Sequence, residues 1–251
     1  MNETKFDGKG SVYAKYRPAY PQAFIDYIYT NIGMCSVSII ADIGSGTGIL
    51  TKQLLEKGST VFAVEPNADM RIHAESSLGG FPDYISVDGT AERTTLSESS
   101  VDYVTAAQAF HWFDKQAFKT ECRRILRKNG RVVLVWNSRV EESDIVQENY
   151  EVKRKYCPNF KVFSDSLLHA ENEGCFNDFF TGEYVSRVFN NDISLDAEGF
   201  VGGNLSSSYA LNETHEYYYD FIAELKQLFV KYSKNGKLVL PSITQCYVGE
   251  V

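Results

Sequence analysis

The chain has 251 residues, 43% hydrophobic and 23% charged, with a net charge of −8 at pH 7. This is the composition of a globular protein with apolar residues enough for one large domain, or one domain and a cap. The acidic balance argues against a free-standing nucleic-acid enzyme, which carries a basic footprint. Cys35, Cys122, Cys157, Cys175 and Cys246 form no C-x-x-C pair and do not cluster with histidine. Reduced thiols in a cytoplasm are therefore expected, with no disulfide framework and no metal site. The start, Met1 to Lys5, lacks the apolar region of a signal peptide, and no apolar run approaches ~18 residues, so no membrane association is expected.

Strand and helix signals alternate along the first half. Pro21 to Ile32 reads as a helix with Phe24, Ile25 and Ile28 on one face. A strand over 37–43, a helix over 48–57, a strand over 60–65 and a helix over 67–77 follow, with Asn67 as the N-cap of the last. A short strand lies near 84–87, and Val101 to Ala106 is a fourth strand. Helix 114–127 ends at Asn129-Gly130, and Arg131 to Trp136 is a fifth strand. The βα alternation implies a parallel, doubly wound sheet. Residues 139–182 read as helical or irregular, 183–190 as a strand, 196–212 as a polar Gly- and Ser-rich stretch, and 214–232 as a helix. A closing strand lies within Val239 to Val248, interrupted at Pro241. The basic runs Arg123-Arg124, Arg127-Lys128 and Lys153-Arg154-Lys155 fall on helical patterns and read as solvated faces.

The run Ile40-Ala41-Asp42-Ile43-Gly44-Ser45-Gly46-Thr47-Gly48 follows a β-branched stretch and precedes a helix. A glycine-rich turn between strand and helix N-terminus lets a nucleotide-like cofactor approach the backbone and favours its negative charge. The dinucleotide fingerprint needs a glycine at 49, where Ile49 stands. This D-x-G-x-G-x-G arrangement resembles motif I of class I S-adenosylmethionine (SAM) dependent methyltransferases, and the whole chain follows that family's layout. The resemblance implies an α/β, Rossmann-like, doubly wound seven-stranded sheet with its last strand pair, 183–190 and 243–248, antiparallel. It assigns 1–138, 183–195 and 237–251 to the cofactor domain, and 139–182 and 196–236 to a helical cap over the acceptor site.

The resemblance also implies cofactor contacts residue by residue. Asp42, Gly44, Ser45, Gly46, Thr47 and Gly48 belong to motif I. Glu65 ends the second strand, where an acid can accept from both ribose hydroxyls; Pro66 and Met70 follow it toward the adenine. Val87-Asp88-Gly89-Thr90-Ala91-Glu92 resembles the third motif, placing Asp88, Gly89, Thr90 and Ala91 at the adenine. The Tyr13-Ala14-Lys15-Tyr16-Arg17-Pro18-Ala19-Tyr20-Pro21 segment resembles one that folds over the cofactor in relatives, implicating Tyr13, Tyr16 and Arg17. The string Ala107-Gln108-Ala109-Phe110-His111-Trp112-Phe113 is similar to that of small-molecule methyltransferases related to trans-aconitate methyltransferase. It puts Ala107, Gln108 and Phe110 at the cofactor and His111 and Trp112 at the acceptor, with Ser207 and Tyr209 of the Ser206-Ser207-Ser208-Tyr209 segment facing them.

Methyl transfer from SAM is an in-line displacement that leaves S-adenosylhomocysteine, so the protein mainly aligns the acceptor and handles one proton. His111 is then either a general base or an orienting hydrogen-bond partner. The expected acceptor is a small molecule methylated at oxygen, nitrogen or a carboxylate, taken by a monomer or homodimer. A non-catalytic SAM-binding regulatory protein remains open, and a nicotinamide-dependent oxidoreductase is disfavoured by Ile49. Nucleic-acid methylation is disfavoured by the acidic charge. Methylation of protein amides is disfavoured because Gln108-Ala109-Phe110-His111 stands where those enzymes carry an N-P-P-Y-type motif.

Overall fold

The computed structural model describes residues 17–162, 174–207 and 209–251. Helix α1 (Gln22–Thr30) leads into β1 (Ile39–Ile43). Helix α2 (Ile49–Glu56) and β2 (Thr60–Val64) follow, then α3 (Ala68–Leu78) and β3 (Tyr84–Val87). Strand β4 (Val101–Ala107) passes through a 3-10 turn at Phe110–Trp112 into α4 (Lys115–Ile125) and β5 (Leu126–Arg139). Asn67 caps α3 by accepting from the Met70 amide at 3.0 Å, and Asp114 caps α4 in the same way. Beyond β5 come α5 (Asp144–Tyr156), α6 (Cys175–Phe179), β6 (Val185–Asn190) and β7 (Ile193–Leu195). The last elements are α7 (Ala197–Leu205), α8 (Tyr218–Tyr232), β8 (Leu238–Leu240) and β9 (Ser242–Gly249).

Seven strands pair in the order β3-β2-β1-β4-β5-β9-β6. The first five are parallel; β9 is antiparallel to both neighbours, as expected from sequence. Strand order reverses between β1 and β4, so the connections leave their C-terminal ends in opposite directions and open a crevice there. Both faces of the sheet are covered. Along β5, Val132, Leu134 and Trp136 point into one core and Val133 and Val135 into the other, the two-residue period of a strand. Each such buried side chain contributes about 1.5–3 kcal/mol.

A third core lies apart from the sheet. It joins Ile145, Val146 and Tyr150 of α5, Phe200 of α7, Phe221 and Leu225 of α8, and Leu238 and Leu240 of β8. Three sequence expectations change here. The segment 193–195 and the segment 238–240, placed with the sheet, pair with each other as a separate two-stranded ribbon on this third core. Residues 175–180, placed in the cap, pack on the sheet: Phe176 stacks on Tyr247 of β9 at 4.2 Å between ring centroids. The Gly-rich stretch after 196 is a helix, α7, because Asp196 caps it through the Gly199 amide at 2.8 Å and its Phe200 and Val201 are buried. Among the described residues, no helix is long and apolar enough to cross a membrane.

Candidate cofactor and acceptor site

The crevice between β1 and β4 is a pocket whose floor is the turn after β1. Gly44 and Ser45 donate their amides to Val64 O of β2, at 2.8 and 3.2 Å, which draws the turn across the sheet edge. Gly44 has φ +66, and a Cβ there would stand 2.8 Å from Ala109 Cβ, so the 3-10 turn after β4 packs directly on the loop. Gly46 has φ +57, and a Cβ there would meet nothing within 4 Å. That open side belongs to the pocket, which Gly46 lines.

Glu65, at the end of β2, locks this turn. Its Oε2 accepts from the Gly46 amide and its Oε1 from the Asn67 amide, both at 2.9 Å. Burial pushes its carboxyl upward, and the two amides and Arg71 oppose that shift. An ionised carboxylate has about four lone-pair sites; two are engaged here, so two remain for ligand hydroxyls. Ser45 Oγ and Thr47 Oγ1, also in the lining, are buried and make no hydrogen bond among the described residues. Buried hydroxyls left in that state cost free energy that a polar ligand recovers.

The rest of the lining divides the sequence expectations. Pro66, Met70, Ala91, Ala107, Gln108 and Trp112, each assigned to the site from sequence, line the pocket. Gln108 is held at φ +55, a costly conformation for a non-glycine residue and one that collects at functional sites. Its side chain donates to the Asn137 carbonyl at 2.9 Å, tying the pocket wall to the end of β5. Tyr20, Ile49, Leu50, Asn67, Glu92, Ala109 and Phe113 also line it and were not assigned from sequence. The signal for most of them was adjacency to the motifs. Tyr20 lay in the Tyr13–Pro21 segment, whose Tyr13 and Tyr16 fall outside the described residues.

Other assigned residues stand behind or beside the lining. Asp42 is 1% exposed and accepts from Thr51 Oγ1 (2.6 Å) and Thr105 Oγ1 (2.7 Å), stapling β1 to α2 and β4. Burial raises its carboxyl to about 6. Gly48 lies against Leu78 of α3. The Asp88 side chain is 75% exposed and pairs with Arg71 at 3.0 Å, while Arg71 also donates to the Glu65 and Pro66 carbonyls. Asp88 thus positions the Glu65 segment from outside. Gly89 packs near the Thr94 carbonyl, and Thr90 Oγ1 accepts from the Arg93 amide at 3.2 Å. Phe110 is a core residue, 1% exposed and edge-on to Trp136 and Phe179.

His111 adjoins Trp112, with ring centroids 4.7 Å apart, and its Nδ1 accepts from Trp136 Nε1 at 3.5 Å. Ser207 and Tyr209 are hydrogen-bonded to each other on the third core. Arg17 is close enough to Arg139 and Lys153 to repel both, and it is not among the residues that line the pocket. Lys153, expected on a solvated face, is 9% exposed.

Residues 41–134, which hold the turn, Glu65 and Gln108, match the methyltransferase domain family. The fold is the α/β, Rossmann-like fold of methyltransferases. An uncharacterized methyltransferase of Mycobacterium tuberculosis is 37% identical over 147 residues, 59% of this chain and 58% of the relative. A methyltransferase-like protein of Schizosaccharomyces pombe is 30% identical over 145 residues, 57% of this chain and 56% of the relative. The matched part is therefore less than two thirds of either relative. A structure described as a type II methyltransferase from Anaeromyxobacter dehalogenans superposes with TM-score 0.68 at 22% identity, over 94% of this chain and 98% of that one. Phosphoethanolamine N-methyltransferase 2 of Haemonchus contortus, solved with SAM, superposes with TM-score 0.53 at 17% identity, over 99% of this chain and 57% of that one.

Proposed function

We propose that this protein is a SAM-dependent methyltransferase that methylates a small molecule. One observation carries the reading: Glu65 grips the Gly46 amide while keeping acceptor capacity, beside a turn whose buried Ser45 and Thr47 hydroxyls have no hydrogen-bond partner among the described residues. The SAM bound to the Haemonchus contortus structure supports the same cofactor here. Glu65 would hold the ribose hydroxyls, Met70 and Ala91 the adenine, and the Gly44–Thr47 turn the amino-acid end. SAM supplies an activated methyl on a sulfonium. The chain's own task is to orient the acceptor and exclude water. Trp112 and Phe113, whose rings border the pocket, favour a positive charge near their faces.

His111 fits the orienting role better than the base. With Nδ1 accepting from Trp136, the neutral ring carries its hydrogen on Nε2 and offers a donor. Ser207, Tyr209 and the third core would form the acceptor side, with the elements 144–156 and 196–232 as the cap.

Calorimetric titration with SAM, S-adenosylhomocysteine and NADH tests the reading. Binding of the first two without the third is expected, and Glu65→Gln weakens it by ~10- to 100-fold, the loss of a charged hydrogen-bond acceptor. Binding of NADH alone would overturn it.

A further inference from the structure

Two cations without an acid among the described residues adjoin the third core, Lys153 buried and Arg139 half-buried. Lys153 of α5 is 9% exposed, and its ammonium faces aromatic rings: Tyr150 at 5.7 Å, Phe160 at 5.6 Å and Tyr209 at 6.0 Å. Arg139, the last residue of β5, donates to Ser242 Oγ at 2.5 Å. Among the described residues, neither forms an ion pair with a carboxylate. They lie near enough to repel each other, and Arg17 adds to the repulsion on both. Burial first, then those neighbouring cations, depress Lys153 to about 7 and Arg139 to about 10. Asn149, one turn before Lys153 on the same face of α5, is 4% exposed, and its Oδ1 makes no hydrogen bond among the described residues.

An uncompensated buried charge costs several kcal/mol, and two like charges cost more. A methionine fills the volume of Lys153 without the charge penalty. Such a pair is retained at a cost to stability, and an incoming anion removes that cost. The pair also has a link to the pocket. Gln108, in the pocket wall, donates to the Asn137 carbonyl. Arg139 lies two residues further along β5, on the same strand face and about 7 Å on.

We propose that Arg139 and Lys153 bind an anionic group, a carboxylate or a phosphate, on the methyl acceptor. The guanidinium offers its planar donors to two oxygens and the ammonium a compact charge, with Tyr150, Tyr209 and Phe160 around the remainder of the ligand. That the anion belongs to the acceptor rests on the methyl-transfer reading; the anion site itself does not.

The test titrates the full chain with succinate, with inorganic phosphate and with neutral succinamide at matched ionic strength, and repeats each with Lys153→Met and Arg139→Gln. Saturable binding of succinate points to a carboxylate acceptor, and of phosphate to a phosphate monoester. Each variant weakens that binding at least ~10-fold, the worth of one charged hydrogen bond. Lys153→Met also melts at a higher temperature than wild type without ligand, a change that a merely structural lysine would not give. SAM titration of both variants matches wild type. The proposal is overturned if neither anion binds, if succinamide binds as well as succinate, or if the variants bind the anion like wild type. If the anion binds and SAM does not, the anion site stands and the methyl-transfer reading falls.

Discussion

Asp42 and the two glycines beside it show how single residues divide between scaffold and site. Asp42 is not in the pocket lining; it accepts from two buried threonine hydroxyls and its carboxyl is raised to about 6. A buried acid with a raised value binds its proton more readily folded than unfolded, so its contribution to stability increases as pH falls from about 6 to about 4. The difference amounts to roughly 3 kcal/mol at most. Denaturant melts of wild type and Asp42→Asn across pH 4–7 isolate it. Wild type gains on the variant as pH falls, and a constant difference would show that Asp42 does not titrate in that range. Gly44 and Gly46 share a positive φ but not their surroundings. Gly44→Ala drives a Cβ against Ala109 and should cost about 2–4 kcal/mol, combining strain with overpacking. Gly46→Ala meets open pocket, costs about 1–2 kcal/mol for φ alone, and is expected to block SAM in a titration while the melt falls less than that of Gly44→Ala. The Gly44-to-Gly48 pattern was legible as a motif. Which glycine serves packing and which serves the ligand was not, because that depends on what Ala109 and the pocket place opposite each Cα.

At the scale of elements, periodicity found the strands and helices up to β5, where each burial face follows from its own sequence. It failed where burial is decided by distant partners. Helix α7 contains Gly199, Gly202 and Gly203, a composition that reads as a loop; its cap at Asp196 and its packing on α8 override propensity. Lys153 sits in a Lys-Arg-Lys run that reads as a solvated face, yet α5 turns that position toward Tyr209. Helix α6 is five residues long, too short to persist alone. Phe176 and Phe179 hold it on the sheet, 1% and 2% exposed. Phe176→Ala should therefore cost about 3–5 kcal/mol, read by chemical denaturation. A cost under about 1 kcal/mol would mean that α6 does not depend on that anchor.

Across the whole molecule, the parallel half carries the candidate cofactor pocket and the third core carries the cationic pair, joined through Gln108, Asn137 and Arg139 along β5. The assignment of the fold was readable because the motif order fixes strand order. The cationic pair was not, because Arg139 and Lys153 come from β5 and α5, which no local pattern brings together. The position of β9 has a consequence for how the chain reaches this state. It is last in sequence among the described strands, yet it lies inside the sheet, paired in full register with β5 on one side and β6 on the other. Until it arrives, Leu134 and Trp136 sit on an open strand edge beside unpaired amides. A ribosome must therefore release Ser242 to Gly249 before the sheet can close, and the nascent protein spends its most adhesive interval waiting for that strand.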